Sequence, residues 1–238
     1  MKLGLLLCDH VRPGFQVIAG DYPDYFTQLL PDLEIVTYDL TADQFPDDLD
    51  RCAGWITTGS RHFVSDDLPW VSKFAGLVRT LDREKRALVG VCFGTQMIAH
   101  ALGGEVWRAP TGWAVGIREV EVVATEPWMS PEVGSFRILH GNADQIMTLP
   151  PGARLLGRSS DVPISVLALG DHIIGFQGHP EFIPAYSAVL MESRRGTLIP
   201  DEVVDAGLAS LAEPDTALLA GWIGNFLAAR NNKLLTNR

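Results

Sequence analysis

A cysteine with small residues close on either side follows an apolar run and precedes a segment of helical character. The stretch reads Gly90-Val91-Cys92-Phe93-Gly94-Thr95-Gln96. This pattern predicts a nucleophile elbow, a tight strand-to-helix turn in which small neighbours let the backbone pass close by. At the start of a helix, backbone N–H groups and the helix dipole favour the thiolate of Cys92, which is the form that attacks carbonyl carbons.

A histidine and a glutamate stand together far downstream, in the stretch Gly178-His179-Pro180-Glu181. The imidazole of His179 can accept a thiol proton, and the carboxylate of Glu181 can orient that imidazole. Pro180 biases His179 towards an extended conformation, in which residues 179 and 181 project to the same side. Joined to Cys92, this stretch predicts nucleophilic catalysis by a cysteine, a histidine and a glutamate.

Acyl transfer also requires hydrogen-bond donors for the oxyanion that forms when a carbonyl is attacked. The loop Thr57-Thr58-Gly59-Ser60-Arg61 follows an apolar strand, and it could offer the N–H of Gly59 or Ser60. The N–H of Phe93, directly after the nucleophile, would be the second donor. Taken alone, the loop is more typical of an ordinary strand-to-loop turn.

The remaining histidines show no pattern of metal ligands. His10, His62 and His172 lack such spacing, and the sequence has no Cys-x-x-Cys or His-x-x-x-His pair. A glycine-rich phosphate loop is also absent. We therefore expect neither a metal nor another cofactor. His140 stands at the end of a predicted strand, where it either lines the site or packs beside it.

The balance of charges argues against polyanionic partners. The chain of 238 residues has 29 acidic and 19 basic side chains, a formal net charge of −10, and no cluster of lysines and arginines. We expect neither nucleic acid nor a membrane as a partner. No apolar run reaches the roughly 18 residues of a membrane span. Three scattered cysteines fit a reducing, cytoplasmic location better than a disulfide scaffold.

Short apolar runs alternate with amphipathic segments in the first half of the chain. Strands are predicted at residues 3–8, 34–38, 54–57 and 88–92, and helices at residues 70–86 and 93–102. This alternation predicts an α/β fold, a doubly wound and mainly parallel sheet with helices on both faces. A small antiparallel insertion is predicted from strands at residues 105–108, 116–123, 135–139, 154–159, 164–169 and 172–177.

We predict a single domain over residues 1–238. It comprises a core over residues 1–183, which carries the catalytic site, and a C-terminal helical extension over residues 184–238. Within the extension, helices are predicted at residues 185–194, 201–210 and 215–230, followed by a polar, frayed tail. The apolar side chains of these helices either pack on the core or form a surface for a partner or a homodimer.

The motifs resemble those of the class I, triad-type glutamine amidotransferase family. Residues 90–96 match its nucleophile motif, residues 178–181 its His-Pro-Glu motif and residues 58–61 the place of its oxyanion loop. Order and spacing agree over about residues 1–183. The resemblance implies a flavodoxin-like fold, a Cys-His-Glu triad and a γ-glutamyl thioester on the cysteine. It also implies residues that help to seat the substrate: Gln96, Gly94, His140 and Gly141.

Two departures refine the resemblance. The oxyanion loop, often Gly-Gly-Pro in the family, reads Gly59-Ser60-Arg61 here, which is similar to a stand-alone branch that includes plant γ-glutamyl peptidases. No acceptor domain follows Glu181, so we expect any synthase that uses ammonia to be a separate subunit. The primary prediction is glutamine hydrolysis, as a glutaminase or amidotransferase. The alternative is a peptidase that cleaves γ-glutamyl peptides or conjugates.

Two hypotheses of other classes remain. A hydrolase of the α/β-hydrolase type expects an acid between nucleophile and histidine, where Asp144, Asp161 and Asp171 stand without a motif. The second hypothesis is an inactive regulatory or interaction protein of the same fold. The intact combination of cysteine, histidine and glutamate argues against it.

Overall fold

Eleven strands and seven α-helices occupy residues 1–236, the part of the chain that the computed structural model describes, with side chains described to residue 231. The strands are β1 (Lys2–Leu7), β2 (Glu34–Asp39), β3 (Gly54–Thr57), β4 (Leu88–Val91), β5 (Glu105–Arg108), β6 (Ala114–Val122), β7 (Ser135–Asn142), β8 (Asp144–Thr148), β9 (Ala153–Arg158), β10 (Val166–Leu169) and β11 (Ile173–Phe176). The helices are α1 (Gln16–Ala19), α2 (Tyr22–Leu29), α3 (Pro69–Arg83), α4 (Phe93–Ala101), α5 (Pro184–Glu192), α6 (Asp201–Ala209) and α7 (Thr216–Thr236).

Nine strands form one sheet in the order β2-β1-β3-β4-β11-β10-β9-β6-β7. The first five are parallel, and the remaining strands continue the sheet by antiparallel pairing. Strands β5 and β8 pair separately as a two-stranded antiparallel sheet. The predicted fold class is confirmed, with one difference: most of the antiparallel strands extend the central sheet, and only β5 and β8 stand apart.

Helices cover both faces of the central sheet because successive strand residues point to opposite sides. On β4, Leu88 packs with residues of α3 and α4, whereas Val89 belongs to the cluster that contains α2 and α7. The apolar side of α7 is part of that second cluster, with Trp222 and Phe226 almost completely buried. The C-terminal helix therefore packs on the sheet that carries the site.

Several elements differ from those expected from the sequence. Helix α2 was not predicted, although Asp21 and Asp24 form a capping box at its start. Strand β8 was not predicted because only two apolar residues interrupt its polar side chains. Helix α7 continues past residue 230 to Thr236, and residues 237 and 238 of the predicted tail lie outside the described residues. None of the described helices is both long and apolar enough to cross a membrane.

Candidate active site

Cys92 stands at the turn between β4 and α4. Its backbone has φ 47° and ψ −108°, a conformation that residues other than glycine rarely adopt. The N–H of Cys92 donates to the carbonyl of Phe176 at 2.8 Å, and its carbonyl accepts from the N–H of Gln96 at 3.0 Å. This strained turn places the thiol at the C-terminal edge of the parallel strands, next to the first turn of α4.

Glycines around the elbow allow α4 to lie directly against the sheet. A Cβ atom at Gly90 would approach the Cα atom of Thr95 to 2.9 Å, and one at Gly94 would overlap the side chain of Thr57 on β3. Gly94 therefore sets the distance between α4 and β3. This packing role is different from the substrate contact that the resemblance implies.

His179 and Glu181 form a buried pair beside the thiol. The Nδ1 atom of His179 lies 2.8 Å from Oε1 of Glu181, whose side chain is completely buried. The sulfur of Cys92 belongs to the electrostatic surroundings of the same imidazole. Because Nδ1 faces the carboxylate, Nε2 is the nitrogen left for the sulfur. The backbone N–H of His179 donates to the carbonyl of Leu139 at 2.7 Å, which fixes this loop to β7.

Opposing effects set the charge of His179. Burial disfavours the imidazolium, but the carboxylate of Glu181 and the sulfur of Cys92 together favour it more strongly. The net effect raises the pKa of His179 above its ordinary value. A protonated imidazole next to a thiolate is the pair from which a cysteine nucleophile attacks.

The imidazole of His179 is confined by neighbours on two sides. The ring of Phe182 stacks on it with a centroid distance of 3.7 Å and an interplanar angle of 10°. On another side, a Cβ atom at Gly59 would lie 2.7 Å from Cε1 of His179 and 3.5 Å from Cβ of Cys92. Gly59 thus leaves the space in which thiol and imidazole meet.

Replacing Gly59 with alanine is expected to lower kcat by about 10²-fold, because the added methyl group pushes the imidazole away and Phe182 blocks its retreat. Steady-state kinetics would measure this loss. The matched control is Gly76→Ala, at a position on α3 where a Cβ atom meets only a side-chain nitrogen at 3.9 Å. The control should keep full activity and gain about 0.5–1 kcal/mol of stability. Equal activity of both variants would contradict this account of Gly59.

Three tyrosines enclose the aromatic ring that supports His179. The rings of Tyr22, Tyr25 and Tyr186 lie 4.8 to 6.4 Å from that of Phe182, and the hydroxyls of Tyr22 and Tyr186 are 3.2 Å apart. Among the described residues, Oε2 of Glu181 and the hydroxyl of Tyr25 are buried and find no hydrogen-bond partner. Burial, followed by the charges nearby, raises the pKa of Tyr25, which keeps this hydroxyl protonated beside the carboxylate.

The loop after β3 is held by residues that follow β1. The hydroxyl of Ser60 donates to the carbonyl of Cys8 at 2.9 Å, and the carboxylate of Asp9 accepts the N–H and the Nε–H of Arg61 at 2.9 and 2.8 Å. Within the described part of the chain, the N–H groups of Ser60 and Phe93 donate to no protein acceptor. Both groups therefore remain available to an oxyanion.

The end of β7 meets the first turn of α4 at a single carbonyl. The side-chain amides of Gln96 and Asn142 both donate to the carbonyl of Asp144, at 2.6 and 2.9 Å. His140 is 1% exposed, and burial lowers its pKa to about 4, so the ring is neutral and packs beside the site. A Cβ atom at Gly141 would meet nothing within 4 Å, so this glycine faces open space.

The acids that a hydrolase of the α/β-hydrolase type would use do not approach His179. Each of the three is paired with an arginine instead, namely Asp144 with Arg108, Asp161 with Arg118 and Asp171 with Arg230. Glu181 is the acid whose carboxylate contacts the imidazole.

Three contributors to the site were not recognised in the sequence. Phe182 directly follows the His-Pro-Glu motif, and Asp9 follows the apolar run of β1, so their positions at strand and motif ends were available signals. Arg194 is different. Its Nη1 atom lies 3.4 Å from the carbonyl of Gly141, but no local pattern marks this residue among the other arginines.

Comparison with known proteins identifies the family. Residues 34–192, more than half of the chain, match the family model described as glutamine amidotransferase class-I. The protein belongs to the class I glutamine amidotransferase family.

Relatives and solved structures refine this assignment. Gamma-glutamyl peptidase 5 of Arabidopsis thaliana is 30% identical over 201 residues, which cover 80% of this chain and 80% of that protein. A glutamine-hydrolysing GMP synthase of Aeropyrum pernix is 26% identical over 86% of this chain but only 37% of its own length. The crystal structure of a glutamine amidotransferase from Thermotoga maritima has a TM-score of 0.70 at 16% identity, covering 96% of this chain and 97% of that one, which supports the fold.

Proposed function

We propose that this protein hydrolyses γ-glutamyl amide bonds through a thioester on Cys92. The sulfur attacks the γ-carbonyl carbon, and the C–N bond breaks as His179 passes the former thiol proton to the departing amine. Water then attacks the thioester with His179 as base, which releases the glutamyl group as glutamate and restores the thiol. The observation that carries the proposal is the buried pair of His179 and Glu181, joined at 2.8 Å, with Cys92 close enough that one Cβ atom at Gly59 would touch both the imidazole and the cysteine.

Backbone donors complete the proposed chemistry. The N–H groups of Ser60 and Phe93 would stabilise the oxyanion in both steps, with Gly59 giving the space beside the sulfur. The resemblance assigns Gln96 and Gly141 to the seat of the substrate, and a Cβ atom at Gly141 would meet nothing within 4 Å. The glutamyl chain would lie there.

Two kinds of leaving group suit the same acyl carbon. Glutamine would release ammonia, to be used by a separate synthase subunit, whereas a γ-glutamyl peptide or conjugate would release its amine to solvent. From the sequence alone, glutamine was the primary predicted substrate. The relatives favour the peptide. The plant γ-glutamyl peptidase matches over 80% of this chain and 80% of its own length, whereas the match to the GMP synthase covers only 37% of that protein. We therefore take γ-glutamyl peptides as the leading substrates and glutamine as the second candidate.

The contacts of the oxyanion loop also support activity without a partner. Asp9, Cys8 and Arg61 hold this loop through hydrogen bonds within the chain. These contacts support an oxyanion loop that needs no second subunit to order it.

Amine release by the purified protein alone tests the proposed function. We expect cleavage of γ-glutamyl dipeptides and tripeptides and little ammonia from glutamine. The matched control is a set of α-linked glutamyl peptides of the same composition, which should remain intact. Ammonia release that exceeds peptide cleavage would assign the second candidate. Cleavage of α-linked peptides at the same rate would contradict the specificity for γ-glutamyl groups.

A further inference from the structure

Arg194 brings a positive charge to the strand that holds His179. It follows α5, and its Nη1 atom is 3.4 Å from the carbonyl of Gly141 on β7. Two residues earlier on the same strand, Leu139 accepts the N–H of His179 at 2.7 Å. Because a strand rises about 3.3 Å per residue, the guanidinium contacts β7 roughly 7 Å from the point where the strand holds His179.

The guanidinium of Arg194 is half-buried and lacks a carboxylate partner in the described part of the chain. Its Nε atom is buried and has no hydrogen-bond partner among the side chains and backbone that the structure describes, and the contact of Nη1 with β7 is long. Its neighbour Arg195 instead forms ion pairs with Glu192 and Asp205, both at 2.8 Å. Burial lowers the pKa of Arg194, which reflects the unfavourable loss of water around the cation. A negatively charged ligand would supply the missing partner.

Aromatic and basic side chains continue from Arg194 towards the oxyanion loop. Its guanidinium lies 5.7 Å from the ring centroid of Trp113, and that of Arg108 lies 5.9 Å from the same ring. Arg108 in turn lies 5.5 Å from the ring of Phe63, in the loop that carries Ser60. These contacts connect Arg194, next to β7, with the loop that carries Ser60, so the guanidinium belongs to one continuous group of side chains with the oxyanion loop.

The chemistry of a γ-glutamyl substrate provides a carboxylate at a suitable reach. Four carbon–carbon bonds of about 1.5 Å separate the γ-carbonyl carbon from the α-carboxylate carbon, about 5 Å in an extended chain. A γ-glutamyl peptide also carries a carboxylate at its C-terminus. Either group matches the planar fork of a guanidinium, which binds carboxylates through two parallel hydrogen bonds.

We infer that Arg194 binds a carboxylate of the γ-glutamyl substrate and thereby selects anionic γ-glutamyl compounds over their amides. The inference rests on the proposed function for the identity of the substrate. Arg194 is a specificity-determining residue in this account: it holds the substrate and takes no part in proton transfer.

Paired substrates test the inference through KM. Replacing Arg194 with methionine should raise KM by about 10- to 100-fold for γ-glutamyl-p-nitroanilide and change kcat little, because a hydrogen-bonded charge is lost while the thiol and imidazole stay in place. The α-carboxamide of this anilide should bind the wild type weakly and show no further loss in the variant. Arg194→Lys should recover part of the preference. The control Arg195→Met should leave both KM values unchanged.

A second pair of substrates identifies the carboxylate. A γ-glutamyl dipeptide with a free or an amidated C-terminus should show the same Arg194-dependence if the α-carboxylate is bound. A dependence confined to the free C-terminus would assign the guanidinium to the peptide carboxylate. The four compounds are the anilide, its α-carboxamide and the two forms of the dipeptide. If Arg194→Met raised KM equally for all four, or for none of them, the inference would be overturned.

Binding without turnover separates this inference from the proposed function. Calorimetry should detect binding of the dipeptide to the Cys92→Ala protein. The double variant, which also carries Arg194→Met, should bind the dipeptide more weakly. If wild-type protein cleaves no γ-glutamyl compound but this difference in binding persists, the proposed function fails and the carboxylate site stands. Equal affinities with and without the guanidinium would overturn the carboxylate site, whatever the activity.

Discussion

Replacing Cys92 with alanine is expected to reduce γ-glutamyl hydrolysis by at least about 10⁴-fold, because no other group can form the covalent intermediate. The side chain stands on a strained turn at φ 47°, next to an imidazole that already carries a raised pKa. Alanine removes the sulfur and leaves the turn and the packing around it unchanged. Amine release at saturating substrate would measure the loss, and circular dichroism would confirm that the variant is folded.

The matched control for this variant is Cys52→Ala. Cys52 is 4% exposed and packs in the cluster below α3, away from the site. Cys8 is a poorer control, since its carbonyl holds the oxyanion loop through Ser60. We expect Cys52→Ala to retain wild-type kcat. Hydrolysis by pure Cys92→Ala protein within tenfold of wild type would mean that water is activated directly, without a thioester.

Glu181→Gln is expected to lower kcat by about 10²- to 10⁴-fold while the fold is maintained. The carboxylate accepts the Nδ1–H of His179 at 2.8 Å, which leaves Nε2 for the proposed proton transfer with Cys92. An amide of the same shape keeps the packing but removes the charge that stabilises the imidazolium. It can also turn its NH₂ group towards Nδ1, which favours the wrong tautomer.

The pH profile gives this prediction a definite direction. The charge of Glu181 is among the causes that raise the pKa of His179, so the imidazolium of the variant loses its proton at a lower pH. The alkaline limb of kcat/KM should therefore move to lower pH in Glu181→Gln. Asp171→Asn, in the turn between β10 and β11, is the control and should change neither kcat nor the limb. An unchanged limb in Glu181→Gln would show that another acid orients the imidazole.

The sequence indicated the candidate residues of the site better than the contacts that hold them in place. Cys92, His179 and Glu181 stand in short motifs of consecutive residues, and a local motif fixes local geometry. The parallel strands before these motifs were predicted as well, since a buried strand is a continuous apolar run. Because parallel strands end at the same edge of a sheet, the two motifs could be expected to meet there.

The supporting contacts depend on tertiary packing, which the sequence pattern does not contain. Asp9, after β1, contacts Arg61 in the loop after the neighbouring strand β3. Arg194, after α5, contacts the carbonyl of Gly141 on β7. Helix α2 has a capping box at its start, but with eight residues it is too short for a helical repeat of apolar residues to be recognised in the sequence. His140 stands within β7 and not after it, because pairing with β6 continues to residue 142.

The most direct test of the proposed mechanism is to look for the thioester itself. Protein mixed with a γ-glutamyl peptide would be quenched in acid within a few turnovers and mapped by mass spectrometry. We predict a glutamyl group on the peptide that contains Cys92, released by hydroxylamine and absent from Cys92→Ala. Hydrolysis that proceeds under the same conditions with no glutamyl group on Cys92 would contradict covalent catalysis by this residue.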